Sequence, residues 1–205
     1  MSERTAVCFD LDGTLLRLPD YESVLTGAFE DRLGRSEARW VDRYGERFFS
    51  HFEALAPDPY RRAMADVCAA FDLDADPSAL AEALVARECR EATVPSGVRE
   101  TLDALADGAR LGVVTNGVTA VQRAKLAHTG LLDPFGTVVT SYDAGAHKPD
   151  PAPFDAAREA LPADRYVMVG DDAAADVEGA RAAGFEAVHV EGAVPGPTRI
   201  LAGDR

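Results

Sequence analysis

The sequence predicts an α/β protein with a doubly wound parallel sheet and a helical insertion after the first strand. Short β-prone segments recur along the chain and are apolar throughout rather than alternating, which is typical of strands covered on both faces. Helical segments lie between most of these strands, and strand–helix–strand repetition builds parallel sheets. One long stretch near the N-terminus contains only helical patterns.

The predicted strands cover residues 5–9, 111–114, 137–140, 166–169 and 187–190. The first strand ends abruptly at Asp10, where the polar, glycine-containing segment 10–14 indicates entry into a loop. Predicted helices cover residues 98–107, 118–129, 153–161 and 173–183, and glycine or proline marks their ends. Ligands of doubly wound sheets bind beyond the carboxyl ends of the strands, so we expect the chemistry there.

Residues 17–92 interrupt the alternation of strands and helices. This stretch carries aromatic residues at helical spacing, namely Trp40, Tyr44, Phe48 and Phe52, which is typical of core packing in a small helical unit. We therefore predict two domains. Residues 1–16 and 93–205 form a Rossmann-like α/β core, and residues 17–92 form an inserted, all-helical cap.

Composition limits the function classes. The 205 residues carry a net charge of −14, which disfavours binding to nucleic acid or to an anionic membrane because like charges repel. Three scattered cysteines argue against a disulfide framework and against a thiolate zinc site. No apolar run is long enough to cross a bilayer, and the N-terminus lacks the pattern of a signal peptide, so we expect a cytoplasmic protein.

Asp is more frequent than Glu in this chain, and Arg is far more frequent than Lys. Of the 35 acidic residues 21 are Asp, and of the 21 Lys and Arg residues only two are Lys. Dense surface carboxylates are tolerated where salt screens their repulsion, so a high-salt cytoplasm is our hypothesis for this composition. A phosphate ligand of so acidic a protein needs a local cation.

Two acidic clusters follow predicted strands. Asp10 and Asp12 lie in one loop, where adjacent carboxylates repel unless a cation or a shared proton relieves them. Asp171, Asp172 and Asp176 follow the strand 166–169. Together the clusters suit a magnesium ion, which prefers oxygen ligands. Taken singly, the first cluster also fits an Asx turn, and Asp172 and Asp176 also fit a helix cap.

Two further segments suit an anion. Thr115, Asn116 and Gly117 end the strand 111–114 and offer a hydroxyl, an amide and backbone N–H groups at the start of a helix. Lys148 is one of the two lysines, and Pro149 restricts the backbone beside it. Its compact ammonium is the local cation that the overall negative charge requires.

The sequence resembles the haloacid dehalogenase superfamily, in particular the phosphoglycolate-phosphatase-like branch with a helical cap. Four motifs carry the resemblance in the family order along nearly the whole chain: Asp10-Leu11-Asp12-Gly13-Thr14, Thr115-Asn116-Gly117, Lys148-Pro149, and Gly170-Asp171-Asp172 with Asp176. Each motif is weak alone, and the four together, each at a predicted strand end or in the loop that follows, are specific.

The resemblance implies magnesium-dependent hydrolysis of a small phosphomonoester. It implies that Asp10 is the nucleophile that forms an aspartyl-phosphate and that Asp12 is the general acid and then the general base. It places Mg²⁺ on Asp10, on the backbone carbonyl of Asp12 and on Asp171, with Asp176 acting through water or a hydrogen bond. The remaining residues follow the same resemblance: Thr115, Asn116, Gly117 and Lys148 bind the phosphoryl group, and Thr14 and Asp172 contact metal ligands.

Three alternatives to a phosphatase remain from the sequence: a phosphomutase, a 2-haloacid dehalogenase and a non-catalytic binding module. A phosphomutase shares these motifs, whereas in the true dehalogenases of the superfamily the position of Asp12 is not acidic and no metal is used, so that Asp12 favours phosphoryl transfer. A non-catalytic binding module is disfavoured because Asp10, Asp12, Lys148 and Asp171 are all present. The implied partner is a small phosphorylated metabolite, and the protein is expected to be a monomer or a homodimer.

Overall fold

The computed structural model describes residues 4–203. Residues 1–3, which belong to the N-terminal segment compared with a signal peptide, and residues 204–205 of the predicted core domain lie outside the described residues. The chain divides into two compact units. One comprises the chain up to Arg17 and from Thr93 onward, and the other comprises Leu18–Ala92.

In chain order, the described helices are α1 (Tyr21–Leu33), α2 (Ala38–Glu53), α3 (Pro59–Phe71), α4 (Pro77–Glu91), α5 (Val98–Ala106), α6 (Thr119–His128), α7 (Ser141–Ala144), α8 (Ala152–Ala160), α9 (Gly179–Ala182) and α10 (Pro197–Ala202). A π-helical turn, Ala173–Glu178, leads into α9. The helix predicted over 173–183 is therefore π-helical in its first part, since Val177 and Gly179 donate their N–H groups to the carbonyls five residues back, those of Asp172 and Ala174. Among the described residues, no helix has the length and apolar character that a membrane span requires.

The first unit contains one parallel sheet of five strands in the order β3–β2–β1–β4–β5. The strands are β1 (Thr5–Phe9), β2 (Ala109–Thr115), β3 (Thr137–Thr140), β4 (Arg165–Gly170) and β5 (Glu186–His189). The chain adds β2 and β3 on one side of β1 and then β4 and β5 on the other, which is the doubly wound arrangement. The predicted α/β fold class is confirmed.

The strand register determines which residues meet at the carboxyl edge of the sheet. Phe9 at the end of β1 is paired with Val113 of β2 and with Val169 of β4. Asp10 continues this register by donating its N–H to the carbonyl of Val169 at 2.9 Å. The loops after β1, β2 and β4 therefore start side by side at the middle of the sheet.

The helical unit is held by its own apolar core. Helix α2 packs on α3, and α4 packs on both α1 and α3. The rings of Phe29 and Trp40 meet edge to face with centroids 5.7 Å apart, and the ring of Phe48 stacks on Tyr44 at 5.6 Å. Trp40 and Tyr44 are fully buried, so the aromatic stripe of α2 serves core packing in this unit.

Candidate active site

A polar cleft of about 200 Å³ opens at the carboxyl edge of the sheet within the α/β unit. It is lined by residues from the loops after β1, β2 and β4 and from the segment before α8. The lining residues are Asp10, Asp12, Thr115, Asn116, Lys148, Asp171, Asp172, Ala175 and Asp176. Eight predicted site residues therefore share one cleft, because the parallel register brings three strand ends together. The other two predicted site residues, Thr14 and Gly117, are not among the lining residues.

Lys148 is the buried cation of this cleft. Its Nζ donates to Asp10 Oδ1 at 2.8 Å, to Asp176 Oδ1 at 2.5 Å and to the backbone carbonyl of Val114 at 2.7 Å. These three acceptors use all three protons of the ammonium group. The side chain of Lys148 is only 2% exposed, so its charge is balanced within the site rather than by solvent.

Burial and neighbouring charges shift the pKa values of Asp10 and of Lys148 in opposite directions. Burial raises the pKa of Asp10 to about 7, and the nearby ammonium of Lys148 works against this rise. For Lys148, burial alone lowers the pKa, but the carboxylates of Asp10 and Asp176 outweigh it and hold the pKa above its ordinary value. The lysine therefore remains charged, and a further cation beside Asp10 would favour the ionised form of this carboxyl group.

Asp10, Asp171 and Asp176 each offer a carboxylate oxygen, and these three oxygens lie within 4.8 Å of one another. Thr14 Oγ1 donates to Asp171 Oδ1 at 2.6 Å, and the N–H of Asp172 donates to Asp176 Oδ2 at 3.1 Å. These bonds orient two of the three carboxylates. Three converging carboxylates match the oxygen ligands that a hard divalent cation such as Mg²⁺ prefers.

Asp172 has a structural contact of its own. Its Oδ1 accepts hydrogen bonds from the N–H groups of Ala174 and Ala175, both at 2.8 Å, and so caps the π-helical turn. The helix-cap alternative raised by the sequence is thus correct for this oxygen.

The loop after β2 is tied to the segment that carries Lys148. The side chain of Asn116 donates to the carbonyl of Lys148 at 3.0 Å and accepts from its N–H at 2.8 Å, so the two loops are clamped together. Thr115 is buried at the end of β2 and faces the cleft. The N–H of Gly117 donates to Ser141 Oγ at 3.0 Å. The backbone N–H of Gly117 is therefore already bonded within the protein, unlike the free anion donor that the sequence predicts.

Two residues of α6 that the sequence did not single out contact Asp12 in the cleft. Lys125 Nζ lies 3.1 Å from Asp12 Oδ1 and 3.0 Å from Asp12 Oδ2. Gln122 Nε2 donates to Asp12 Oδ2 at 2.9 Å and to Thr115 Oγ1 at 3.1 Å. Both side chains are buried. The signal was present in the sequence, since a lysine and a glutamine three residues apart share the apolar face of the predicted helix with Val121.

The haloacid dehalogenase-like hydrolase family model matches residues 5–184 of this chain. The chain belongs to the haloacid dehalogenase-like hydrolases. The match spans the loops after β1, β2 and β4, and therefore every lining residue of the cleft.

Relatives of this hydrolase include two phosphatases and a nucleotidase. It is 31% identical to a ribulose-1,5-bisphosphate 5-phosphatase of Halopiger xanaduensis, over 90% of this chain and 83% of that protein. It is 37% identical to a phosphoglycolate phosphatase of Rhodospirillum rubrum, over 89% of this chain and 78% of that protein. A 36% match to the pyrimidine 5'-nucleotidase YjjG of Escherichia coli covers 55% of this chain and 52% of that protein. This last match therefore spans about half of each chain.

Solved structures similar to this hydrolase include two kinds of enzyme. An HAD phosphatase from Thermococcus onnurineus has a TM-score of 0.66 and 34% identity, covering 91% of this chain and 86% of that one. A 2-haloacid dehalogenase from Pseudomonas syringae pv. Tomato DC3000 has a TM-score of 0.70 and 28% identity, with the same coverage. Since the two activities share the fold, only the residues of the cleft can separate them.

Gly13 of this hydrolase provides a first prediction. It has a φ of 98°, and a Cβ added there would overlap the carboxylate of Asp171. We expect Gly13→Ala to cost about 1–2 kcal/mol of unfolding free energy through backbone strain and also to weaken binding of a divalent metal. Urea unfolding and thermal unfolding with added Mg²⁺ measure the two effects.

Gly145→Ala is the matched control, because Gly145 also has a positive φ, 73°, but an added Cβ there has no neighbour within 4 Å. It should lose similar stability and respond to Mg²⁺ like the unaltered protein. Equal metal responses in both variants would contradict the expectation that the missing Cβ of Gly13 leaves the carboxylate of Asp171 in place for a metal.

Proposed function

We propose that this hydrolase is a magnesium-dependent phosphatase that cleaves small phosphomonoesters through an aspartyl-phosphate on Asp10. The observation that carries the proposal is the carboxylate of Asp12, which lines the same cleft as the Asp10–Lys148 ion pair. Expulsion of an alkoxide needs a proton donor, whereas expulsion of a halide does not. The phosphatases named among the relatives support the same activity.

Asp10, Asp171 and Asp176 are the residues that would hold Mg²⁺, together with the backbone carbonyl of Asp12. The closeness of the three carboxylate oxygens, all within 4.8 Å of one another, supports this assignment. When bound, the metal supplies positive charge that allows a carboxylate nucleophile to approach an anionic phosphate.

The chain's own residues then divide the reaction into two displacements. A carboxylate oxygen of Asp10 attacks phosphorus, the bond from phosphorus to the ester oxygen breaks, and Asp12 gives its proton to the leaving oxygen. Asp12 next takes a proton from water, which attacks the same phosphorus and releases phosphate together with the Asp10 carboxylate. Thr115 and the Asn116 N–H bind the phosphoryl oxygens, and the positive charge of Lys148 beside Asp10 stabilises the negative charge that these oxygens carry in the transition state.

We further propose that the helical unit Leu18–Ala92 acts as the cap that selects the substrate. The motifs of the α/β unit recognise a phosphoryl group that every phosphomonoester shares, so discrimination between leaving groups needs residues outside those motifs. The unit has its own core and can therefore vary its surface without disturbing the sheet.

The direct test is phosphate release from a panel that includes phosphoglycolate, ribulose 1,5-bisphosphate, sugar phosphates and nucleoside monophosphates. Each compound is assayed with Mg²⁺ and with a chelator, at low and at high KCl, with Asp10→Asn as the blank. Magnesium-dependent release with one preferred compound supports the proposal. Isomerisation of a sugar phosphate without phosphate release would indicate a phosphomutase, and halide release from a 2-haloacid would indicate a dehalogenase.

Metal binding should also appear in the stability of the protein. A ligand that binds only the folded state at about 100 times its dissociation constant adds about 2.7 kcal/mol, or roughly 5–10 °C in Tm for a chain of this size. We expect saturating Mg²⁺ to raise Tm by this amount and Asp171→Asn to remove the shift. Asp164→Asn, at a half-exposed surface carboxylate, is the control that should keep it. An unchanged shift in Asp171→Asn would contradict the assigned ligand set.

A further inference from the structure

We infer that Lys125 and Gln122 are positioning residues that hold Asp12 at the leaving oxygen of the substrate. The inference rests on the proposed function, since it concerns how the general acid of that reaction is placed. It assigns a part in the reaction to two buried polar residues of α6 that lie outside the four motifs.

The contacts of Asp12 are strongly asymmetric. Lys125 Nζ bonds both carboxylate oxygens, at 3.1 and 3.0 Å, and the lysine side chain is 4% exposed. The side chain of Asp12 is 35% exposed and lines the cleft. A buried lysine therefore holds the Asp12 side chain in one rotamer, while the same side chain remains partly exposed in the cleft.

Gln122 links the acid to the phosphate-binding loop. One amide nitrogen donates to Asp12 Oδ2 at 2.9 Å and to Thr115 Oγ1 at 3.1 Å. Through this nitrogen, the proton donor and a group that binds phosphoryl oxygens keep a fixed separation. Misplacement of a catalytic group by about 1 Å can cost about 100-fold in rate, so such a link has a direct kinetic value.

The loop leaves room for this link at Gly117. A Cβ added at Gly117 would come within 2.6 Å of three side-chain atoms of Gln122. The glycine therefore has a physical role that differs from the predicted phosphate contact, namely to admit the Gln122 amide between Thr115 and Asp12.

The use of lysine rather than arginine beside Asp12 also supports a positioning role for Lys125. The chain has 21 Lys and Arg residues, and only Lys125 and Lys148 are lysines. Each of the two contacts one aspartate of the Asp10-x-Asp12 pair. An ammonium is compact and donates in any direction, whereas a guanidinium is a wide planar fork. In a chain whose other basic residues are all arginine, a buried lysine contacts each of the two carboxyl groups of the proposed reaction.

The test separates positioning from general stability by varying the leaving group. The value of kcat/KM reports the reaction up to departure of the leaving oxygen, which is the step in which Asp12 donates its proton. Phenyl phosphate has a basic leaving group that needs this proton, and 2,4-dinitrophenyl phosphate has one that leaves without it. The variants are Lys125→Met and Gln122→Met, with Lys125→Arg to retain the charge.

We expect kcat/KM for phenyl phosphate to fall about 30- to 100-fold in Lys125→Met and kcat/KM for the dinitrophenyl ester to fall less than about 3-fold. Gln122→Met should show the same split with a smaller amplitude, and Lys125→Arg should lie between it and the unaltered protein. Arg123→Met, an exposed cation of the same helix, is the control that should change neither ester. Circular dichroism and Tm establish which variants fold.

Equal losses for both esters in the folded variants would overturn the inference, because a structural role lowers all substrates alike. Unchanged kinetics in both Lys125→Met and Gln122→Met would overturn it as well. Both outcomes leave the proposed phosphatase activity intact. Absence of magnesium-dependent hydrolysis in the unaltered protein, for these esters and for the metabolite panel, would instead remove the proposed function and the inference with it.

Discussion

Asp10→Asn should reduce phosphomonoester hydrolysis by about 10⁵- to 10⁶-fold, the scale seen when a nucleophile is removed from an enzyme that forms a covalent intermediate. The amide has the shape of the carboxylate but lacks the negative oxygen that attacks phosphorus. In this variant the ammonium of Lys148 is still paired with the carboxylate of Asp176, so no buried charge is left without an opposite charge. Steady-state kcat/KM and single-turnover rates measure the loss.

Asp164→Asn is the control for this substitution, because Asp164 pairs with Arg4 at the surface of the same unit and does not line the cleft. It should retain full activity. Folded Asp10→Asn protein with more than a tenth of the normal activity would show that another group is the nucleophile.

Lys148→Met should produce the second largest effect, and it should appear in stability as well as in rate. Removing one member of a buried ion pair typically costs about 3–5 kcal/mol, because the remaining charge is left uncompensated. Here two buried carboxylates, Asp10 and Asp176, lose their shared cation. We expect a comparable loss of unfolding free energy in metal-free protein and a fall in kcat/KM of about 10³-fold, since phosphoryl charge loses its buried cation.

The loss of stability in Lys148→Met should depend on pH. A carboxyl group whose pKa is higher in the folded than in the unfolded protein stabilises the fold at low pH, and this stability is lost as pH rises through the folded value. Burial already raises the pKa of Asp10 to about 7 with Lys148 present. Without the ammonium this pKa should be higher still, so the variant should be most destabilised above that higher pKa and should partly recover as the pH falls and Asp10 takes up a proton.

Mg²⁺ should rescue Lys148→Met in stability but not in rate. The uncompensated carboxylates bind a cation more tightly than they do beside an ammonium, so the Mg²⁺-induced rise in Tm should exceed that of the unaltered protein. Arg165→Met, which breaks an ion pair with Glu186 away from the cleft, is the matched control and should show an ordinary Mg²⁺ response. A weaker Mg²⁺ response in Lys148→Met would contradict the assigned competition between lysine and metal.

The sheet was predictable because its signal is local and strong. Continuous apolar segments such as Thr5–Phe9 mark strands covered on both faces, and all five predicted strands occur within two residues of their predicted ends. Finer features were not predictable. The strand before Lys148 gives way at once to the short helix α7, and the π-helical turn depends on N–H groups that bond the carbonyl five residues back, as Val177 bonds Asp172. Neither arrangement leaves a periodic trace in the sequence.

The cleft was predictable to the extent that parallel strands align their ends. Asp10 and Asp171 each follow a strand and Thr115 ends one, and the register of β1 with β2 and β4 brings them together. The environment of Asp12 was not predictable in this way. It depends on where α6 docks against the sheet, and the helical pattern alone marks Gln122 and Lys125 as facing inward without showing what they meet.

The most direct measurement is mass spectrometry of the protein after rapid acid quench during turnover. The account predicts a fraction of molecules heavier by one phosphoryl group, with the modification on the tryptic peptide of residues 5–17 and fragmentation placing it on Asp10. The adduct should require Mg²⁺, accumulate when hydrolysis of the intermediate is slowed in Asp12→Asn with the dinitrophenyl ester, and be absent in Asp10→Asn. Turnover without any phosphorylated enzyme in Asp12→Asn, or an adduct on a residue other than Asp10, would contradict it.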